Sequence, residues 1–197
     1  MLNSDPKCVP NTRLPESFKS NALKLFMELL EAPPKTTILD LGPVCGENID
    51  FISKKVRKLY VHDFYRAVIK DLETGKRLNR AWDQLDYPHD VFSGILLWDI
   101  VDRLQNRDAA KLICRCGEMV KPRGYVVLFA ADQDTGPGPV NSFVLGEEYT
   151  VSLRAQCHIR LPAAKRENRD IFELMQPFVP VKSFIHRNGL REFLFRA

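Results

Sequence analysis

The sequence predicts an α/β protein: a doubly wound, mostly parallel sheet with helices on both faces, ending in a C-terminal antiparallel β-hairpin. Three observations predict it. β-rich runs alternate with helix-period segments over most of the 197 residues, the pattern of parallel strands joined by crossover helices. Residues 92–100 and 125–130 are apolar without alternation, as strands buried on both faces are. Asn188-Gly189 separates the β-rich runs 181–186 and 190–195, and so tight a turn forces its two strands antiparallel.

Each element follows in order. Residues 1–15 carry three prolines and read as an irregular arm. A helix is expected from Ser17 as N-cap, with Phe18, Ala22, Leu25, Phe26, Leu29 and Leu30 on one face, stopped at Pro33-Pro34. Residues 36–42 read as a strand leaving at Gly42, 49–56 as a short helix, 59–64 as a second strand, and 65–82 as a helix that Gly75 weakens. No strand is legible between Gly75 and Pro88. After the strand 92–100, Asn106 caps a helix to residue 120. Lys121-Pro122-Arg123-Gly124 is a turn of type I, because type II requires positive φ at Arg123. The strand 125–130 leads to an exposed Gly/Pro-rich loop over 132–139, a short alternating strand over 149–153, and a helix capped by Asn168. One domain is expected over 1–197: an arm and helix (1–35) and an α/β core (36–197).

Composition narrows the function. With 45% hydrophobic and 27% charged residues, the chain buries enough apolar surface to exclude wholesale disorder. Its longest strongly apolar stretch, 125–131, falls far short of the roughly 18–20 residues of a membrane span. The first residues have no basic head or apolar run, so no signal peptide is expected. That implies a cytoplasmic protein whose five cysteines are reduced thiols. Cys114-Arg115-Cys116 is one residue too tight for a C-x-x-C zinc site, so no metal is expected. From Val151 onward nine Lys/Arg face four acids. They form no tight run and no nucleic-acid motif, which makes a solvated basic face the simpler reading.

The chemistry centres on Asp40-Leu41-Gly42-Pro43-Val44-Cys45-Gly46. A glycine at a strand end allows close approach of a ligand, and the helix N-terminus behind it offers free N–H groups. Asp63 ends the next strand 21 residues after Gly42, the spacing of a ribose-binding acid. That order within one β-α-β unit points to a nucleoside-containing cofactor. The G-x-G-x-x-G fingerprint is absent, which counts against dinucleotides. Trp98 and Asp99 end the fourth strand, where ligands sit in open sheets. Trp98 reads equally as a pocket wall or a core residue. Asp99 reads better as a helix-capping acid than as the catalytic group that orients a nucleophile. His62, His158 and His186 show no partner, so no general base is named, and Cys45 reads as a lining residue.

On these residues the chain resembles the class I S-adenosylmethionine-dependent methyltransferases over nearly all of its length after residue 35. Residues 40–46 are similar to the family's acidic-x-Gly-x-Gly-x-Gly loop, and Asp63 to the acid after its second strand. Asp83-Gln84 is similar to the motif near the adenine, 92–99 to the fourth-strand segment, and 120–124 to the Leu-x-Pro-Gly-Gly turn. The closing hairpin matches the family's last two strands. The resemblance implies S-adenosylmethionine as cofactor, held by Asp40, Gly42, Pro43, Val44, Gly46, Asp63, Phe64, Asp83, Gln84 and Trp98. It implies positioned methyl transfer, which requires no catalytic triad.

The chain departs from the pattern where Val44 replaces the middle glycine and Pro43 removes an N–H donor. Arg123 replaces a glycine of the later turn, which affects turn geometry only. The first two departures define the alternative: a methyltransferase-like interaction module in which Pro43 and Val44 have closed the pocket. The expected substrate is a small molecule, anionic if Arg154, Arg160 and Lys165 converge on the pocket mouth. Nucleic acid and membrane are not expected as partners. Substrate recognition is placed in residues 132–151 and the N-terminal arm.

Overall fold

Four parallel strands carrying β-branched and apolar residues form one side of a six-stranded sheet in the computed structural model, which describes residues 17–30, 35–75, 78–131, 138–187 and 189–197. In chain order the elements begin with β1 (Ser17–Lys19), α1 (Asn21–Leu29), β2 (Thr37–Asp40), α2 (Gly46–Ser53), β3 (Lys58–Val61) and α3 (Phe64–Glu73). There follow α4 (Asn79–Asp83), β4 (Phe92–Trp98), a 3-10 turn (Ile100–Arg103), α5 (Asn106–Met119) and β5 (Val120–Ala131). The chain closes with β6 (Gly138–Leu145), β7 (Thr150–Leu161), α6 (Asn168–Leu174), β8 (Val179–Ile185) and β9 (Leu190–Arg196).

The main sheet has the order β3-β2-β4-β5-β9-β8. Its first four strands are parallel, β9 runs antiparallel to β5, and β8 closes the edge antiparallel to β9. Successive residues of β2, β4 and β5 serve two cores. Ile38, Leu96, Val127 and Phe129 pack beneath α1 and α2, while Leu39, Ile95 and Val126 pack with α3, α5 and α6. Both faces are therefore buried, which is why these strands read as continuous apolar runs. Gly94 lets α1 settle directly on the sheet: a Cβ there would lie 2.4 Å from Phe26 Cζ. Among the described residues no helix is long and apolar enough to cross a membrane.

A second, three-stranded sheet of order β1-β7-β6 was not legible in the sequence. The expected strand 149–153 is the start of the twelve-residue β7. Its partner β6 begins within the expected loop, of which residues 132–137 lie outside the described residues. Ser17 does not cap α1. Residues 17–19 pair with β7, and Ser20 caps the helix by accepting from Leu23 N. The long helix expected over 65–82 is two helices, broken where Gly75 takes φ +63°. No strand lies between Leu78 and Val91.

Two further expectations are corrected. Arg123 adopts φ +67°, against the type I reading. Tertiary contacts hold it there: Arg123 N donates to Ala197 O, and Ala197 N donates to Gly124 O. Cys157 is disulfide-bonded, whereas Cys45, Cys114 and Cys116 are free. Counting cysteines cannot show which thiols the chain path brings together. At the closing hairpin Gly189 has φ +83° and His186 N donates to Leu190 O, while Asn188 lies outside the described residues.

Candidate active site

β2 and β4 lie side by side with Asp40 opposite Leu96, so Asp40 and Trp98 come together at the carboxyl ends of adjacent strands. Trp98 Nε1 donates to Asp40 Oδ1 at 2.6 Å, and Gly42 N donates to the same oxygen at 2.9 Å. The indole lies flat against the turn: a Cβ on Gly42 would sit 2.5 Å from Trp98 Nε1 and 2.6 Å from Cδ1. Gly42 is thus required by the approach of this ring. Trp98 itself has φ +52° at a register shift between β4 and β5, a backbone state that bulky residues adopt only when their surroundings enforce it. Here Phe143 of β6 stacks on the indole at 5.5 Å and 11°, and Phe129 meets it edge-on.

Burial raises the Asp40 carboxyl to about 6, against the lowering effect of the bonds from Trp98 and Gly42, and nearby Asp63 pushes it the same way as burial. Asp63 ends the neighbouring strand, half-buried, and caps α3 by accepting from Arg66 N at 2.9 Å. Beside it, His62 Nε2 is buried without a hydrogen-bond partner, and burial lowers that ring's pKa. Cys45 is the N-cap of α2 and makes no side-chain capping bond.

The remaining predicted residues divide. Pro43 is buried, but Val44 is 61% exposed and Gly46 is exposed, so Val44 does not close a pocket. The residue that covers Gly42 is Trp98. Phe64 is fully buried on the opposite core, with Trp82 at 5.4 Å. Asp83 and Gln84 are exposed at the end of α4, and their side chains make no hydrogen bond among the described residues. Asp99 is corrected as a catalytic candidate. It is 1% exposed, with Oδ1 accepting from Tyr65 Oη and Oδ2 from Arg103 Nε and Nη2. Both oxygens are committed inside the protein.

Sequence reasoning missed the residues that close the site from above. Asn48 on α2 donates to Phe143 O at 2.9 Å and accepts from Leu145 N at 2.7 Å, fastening β6 over the glycine turn. A polar side chain at the buried position of a short helix is the signal that could have found it. Arg154 reaches the same rim, where it binds Glu47 at 2.6 Å and holds that carboxyl down to about 2. Lys165 lies instead 4.0 Å from Glu167.

The strand-end residues offer a nucleoside-bearing ligand the half-buried acid Asp63 and the start of α2, which no side chain caps. They do not leave the Gly42 floor bare, because the indole occupies it.

No family model and no curated protein matches the chain. Solved structures do. An S-adenosylmethionine-dependent methyltransferase from Mesorhizobium loti aligns with a TM-score of 0.57 at 11% identity, over 88% of this chain and 96% of that one. The N-methyltransferase NodS from Bradyrhizobium japonicum aligns with 0.53 at 14% identity, over 89% and 91%. The 1,6-didemethyltoxoflavin-N1-methyltransferase of Burkholderia thailandensis, solved with 1,6-didemethyltoxoflavin and S-adenosylhomocysteine bound, aligns with 0.54 at 13% identity, over 89% and 76%. At these identities the likeness is one of fold, and the fold is that of the class I methyltransferases.

Proposed function

We propose that this chain is an S-adenosylmethionine-dependent methyltransferase acting on a small-molecule acceptor, with its ligands at the carboxyl ends of β2, β3 and β4. The observation that carries the reading is the placement of Asp40 and Asp63 at the ends of neighbouring parallel strands, with the Gly42 turn between them. In open α/β sheets this crevice is where ligands bind. Asp63 would accept from ribose hydroxyls, and the free N–H groups at the start of α2 would receive the carboxylate of the amino-acid portion. The cofactor, when bound, supplies a methyl group already activated by its sulfonium.

What the protein contributes is position and exclusion of water. Trp98, Phe129 and Phe143 form an aromatic floor, and an apolar wall of this kind shields a positioned reaction from solvent. β6, fastened by Asn48, packs over the turn, and a covered site suits a small acceptor better than a polymer. Arg154 is balanced by Glu47, so the proposal assigns the acceptor no charge.

One observation favours a second reading, a methyltransferase-like interaction module without cofactor: the indole of Trp98 lies in contact with Gly42 and takes the Asp40 carboxylate. Calorimetry with S-adenosylmethionine and S-adenosylhomocysteine separates the two. Saturable 1:1 binding supports methyl transfer. Absence of binding to either by the folded chain supports the module.

A further inference from the structure

A cleft that combines an apolar floor with charged side chains is lined by none of Gly42, Asp63 and Trp98. It measures about 440 Å³ and lies between α3, α4 and the start of α5, a size within the usual range for small-molecule sites. Its floor is Val68, Leu78 and the half-buried ring of Trp82. Leu72 stands at its mouth 52% exposed, an aliphatic side chain that the fold leaves in water.

The opposite wall is cationic. Arg107 and Lys111 stand one turn apart on α5 and both line the cleft. Like charges at this spacing oppose helix formation, yet neither makes an ion pair among the described residues, and Asp108 between them pairs with neither. The Lys111 ammonium lies 4.5 Å from the centre of the Trp82 ring. The third cation of the wall, Arg103, is already bound to Asp99. An apolar aromatic surface flanked by two cations that make no ion pair among the described residues is complementary to a flat ring carrying an anionic group.

We infer that this cleft is a second ligand site, for an aromatic carboxylate whose ring lies along Trp82 and Leu72 and whose carboxylate is received by Arg107 and Lys111. The inference is independent of the methyl-transfer reading, because it uses none of the strand-end residues.

The two tryptophans of the chain allow a direct test. Each gives one indole signal in a ¹H–¹⁵N spectrum of the full chain, assigned with Trp82→Phe. Titration with 2-naphthoate should move the Trp82 signal saturably and leave that of Trp98 in place. Arg107→Gln with Lys111→Gln, exposed positions that should not disturb folding, should weaken 2-naphthoate by roughly tenfold or more. The same double variant should leave 2-naphthylmethanol, which lacks the charge, unaffected. The inference is overturned if 2-naphthoate produces no saturable shift at Trp82. It is equally overturned if the double variant binds 2-naphthoate as well as the parent, or if S-adenosylhomocysteine moves the Trp82 signal, which would make the cleft part of the strand-end site. Failure of cofactor binding leaves the Trp82 titration as it is.

Discussion

The indole nitrogen of Trp98 donates to Asp40 Oδ1 across 2.6 Å, so the ends of β2 and β4 are joined by the two residues most exposed to suspicion as ligand contacts. The same ring rests on Gly42. Whatever this site binds, it binds against a floor that these three residues have already built.

Gly42→Ala places a methyl group 2.5 Å from Trp98 Nε1. Overpacking of this kind costs about 1–3 kcal/mol. Trp98→Phe removes a donor from a buried carboxylate, worth about 1.5–3 kcal/mol. The two losses should be less than additive when combined, since the smaller phenyl ring leaves room for the methyl. A double-mutant cycle in urea checks this, and strict additivity would show that the indole does not set the limit on residue 42.

The buried Asp40 carboxyl, raised from 3.8 to about 6, holds its proton more tightly in the folded chain than in the unfolded one. Its favourable contribution to folding is therefore complete below 3.8 and is lost as the pH rises through about 6. Asp40→Asn keeps an acceptor for Trp98 and removes the charge. Relative to the parent, the variant should gain about 3 kcal/mol between those limits, at roughly 1.4 kcal/mol per pH unit, and no more above them. A stability difference that does not change over this range would refute the assignment.

Asn48→Ala strips two partners at once, leaving Phe143 O and Leu145 N buried beneath β6. Each unsatisfied group costs about 1–3 kcal/mol. Because the loss is local, hydrogen exchange should quicken at the Leu145 amide while the central-strand amide of Val127 keeps its protection. Equal acceleration at both would mean that Asn48 supports the whole domain.

Asp63 has two duties under the proposed function, and they can be separated. Asp63→Ala loses both the α3 cap, worth about 0.5–2 kcal/mol of stability, and the charged acceptor. Asp63→Ser retains a capping oxygen. If Asp63 receives the ribose, both variants should bind S-adenosylhomocysteine about ten- to hundredfold more weakly, the equivalent of about 1.5–3 kcal/mol. Only Asp63→Ala should melt earlier. Unchanged affinity in the serine variant would remove Asp63 from the site.

Local pattern determined much of this protein from sequence alone. The continuous apolar runs of β4 and β5 specify strands buried on both faces, because no polar position is left to face water. Asn188-Gly189 implies the antiparallel edge, and no strand-like run follows Gly75, where the structure has no strand between Leu78 and Val91. Asp40, Gly42 and Trp98 were each legible as strand-end residues. That they touch was not, because their contact depends on the register of β2 against β4, which no local signal encodes.

Tertiary structure alone decided the rest. Positive φ at Arg123 follows from hydrogen bonds to the chain's last residue, 74 positions away. Asp99 lost its catalytic candidacy to Tyr65, 34 residues away on α3, and to Arg103, which the 3-10 turn after β4 folds back onto it. β6 carries neither strict alternation nor a closed apolar run, so only its pairing with β7 and the grip of Asn48 make it a strand over the site. Periodicity reports which face of an element is buried. Which residue of another element meets that face is set by long-range packing, and it is that packing that places Trp98 rather than Val44 over the glycine turn.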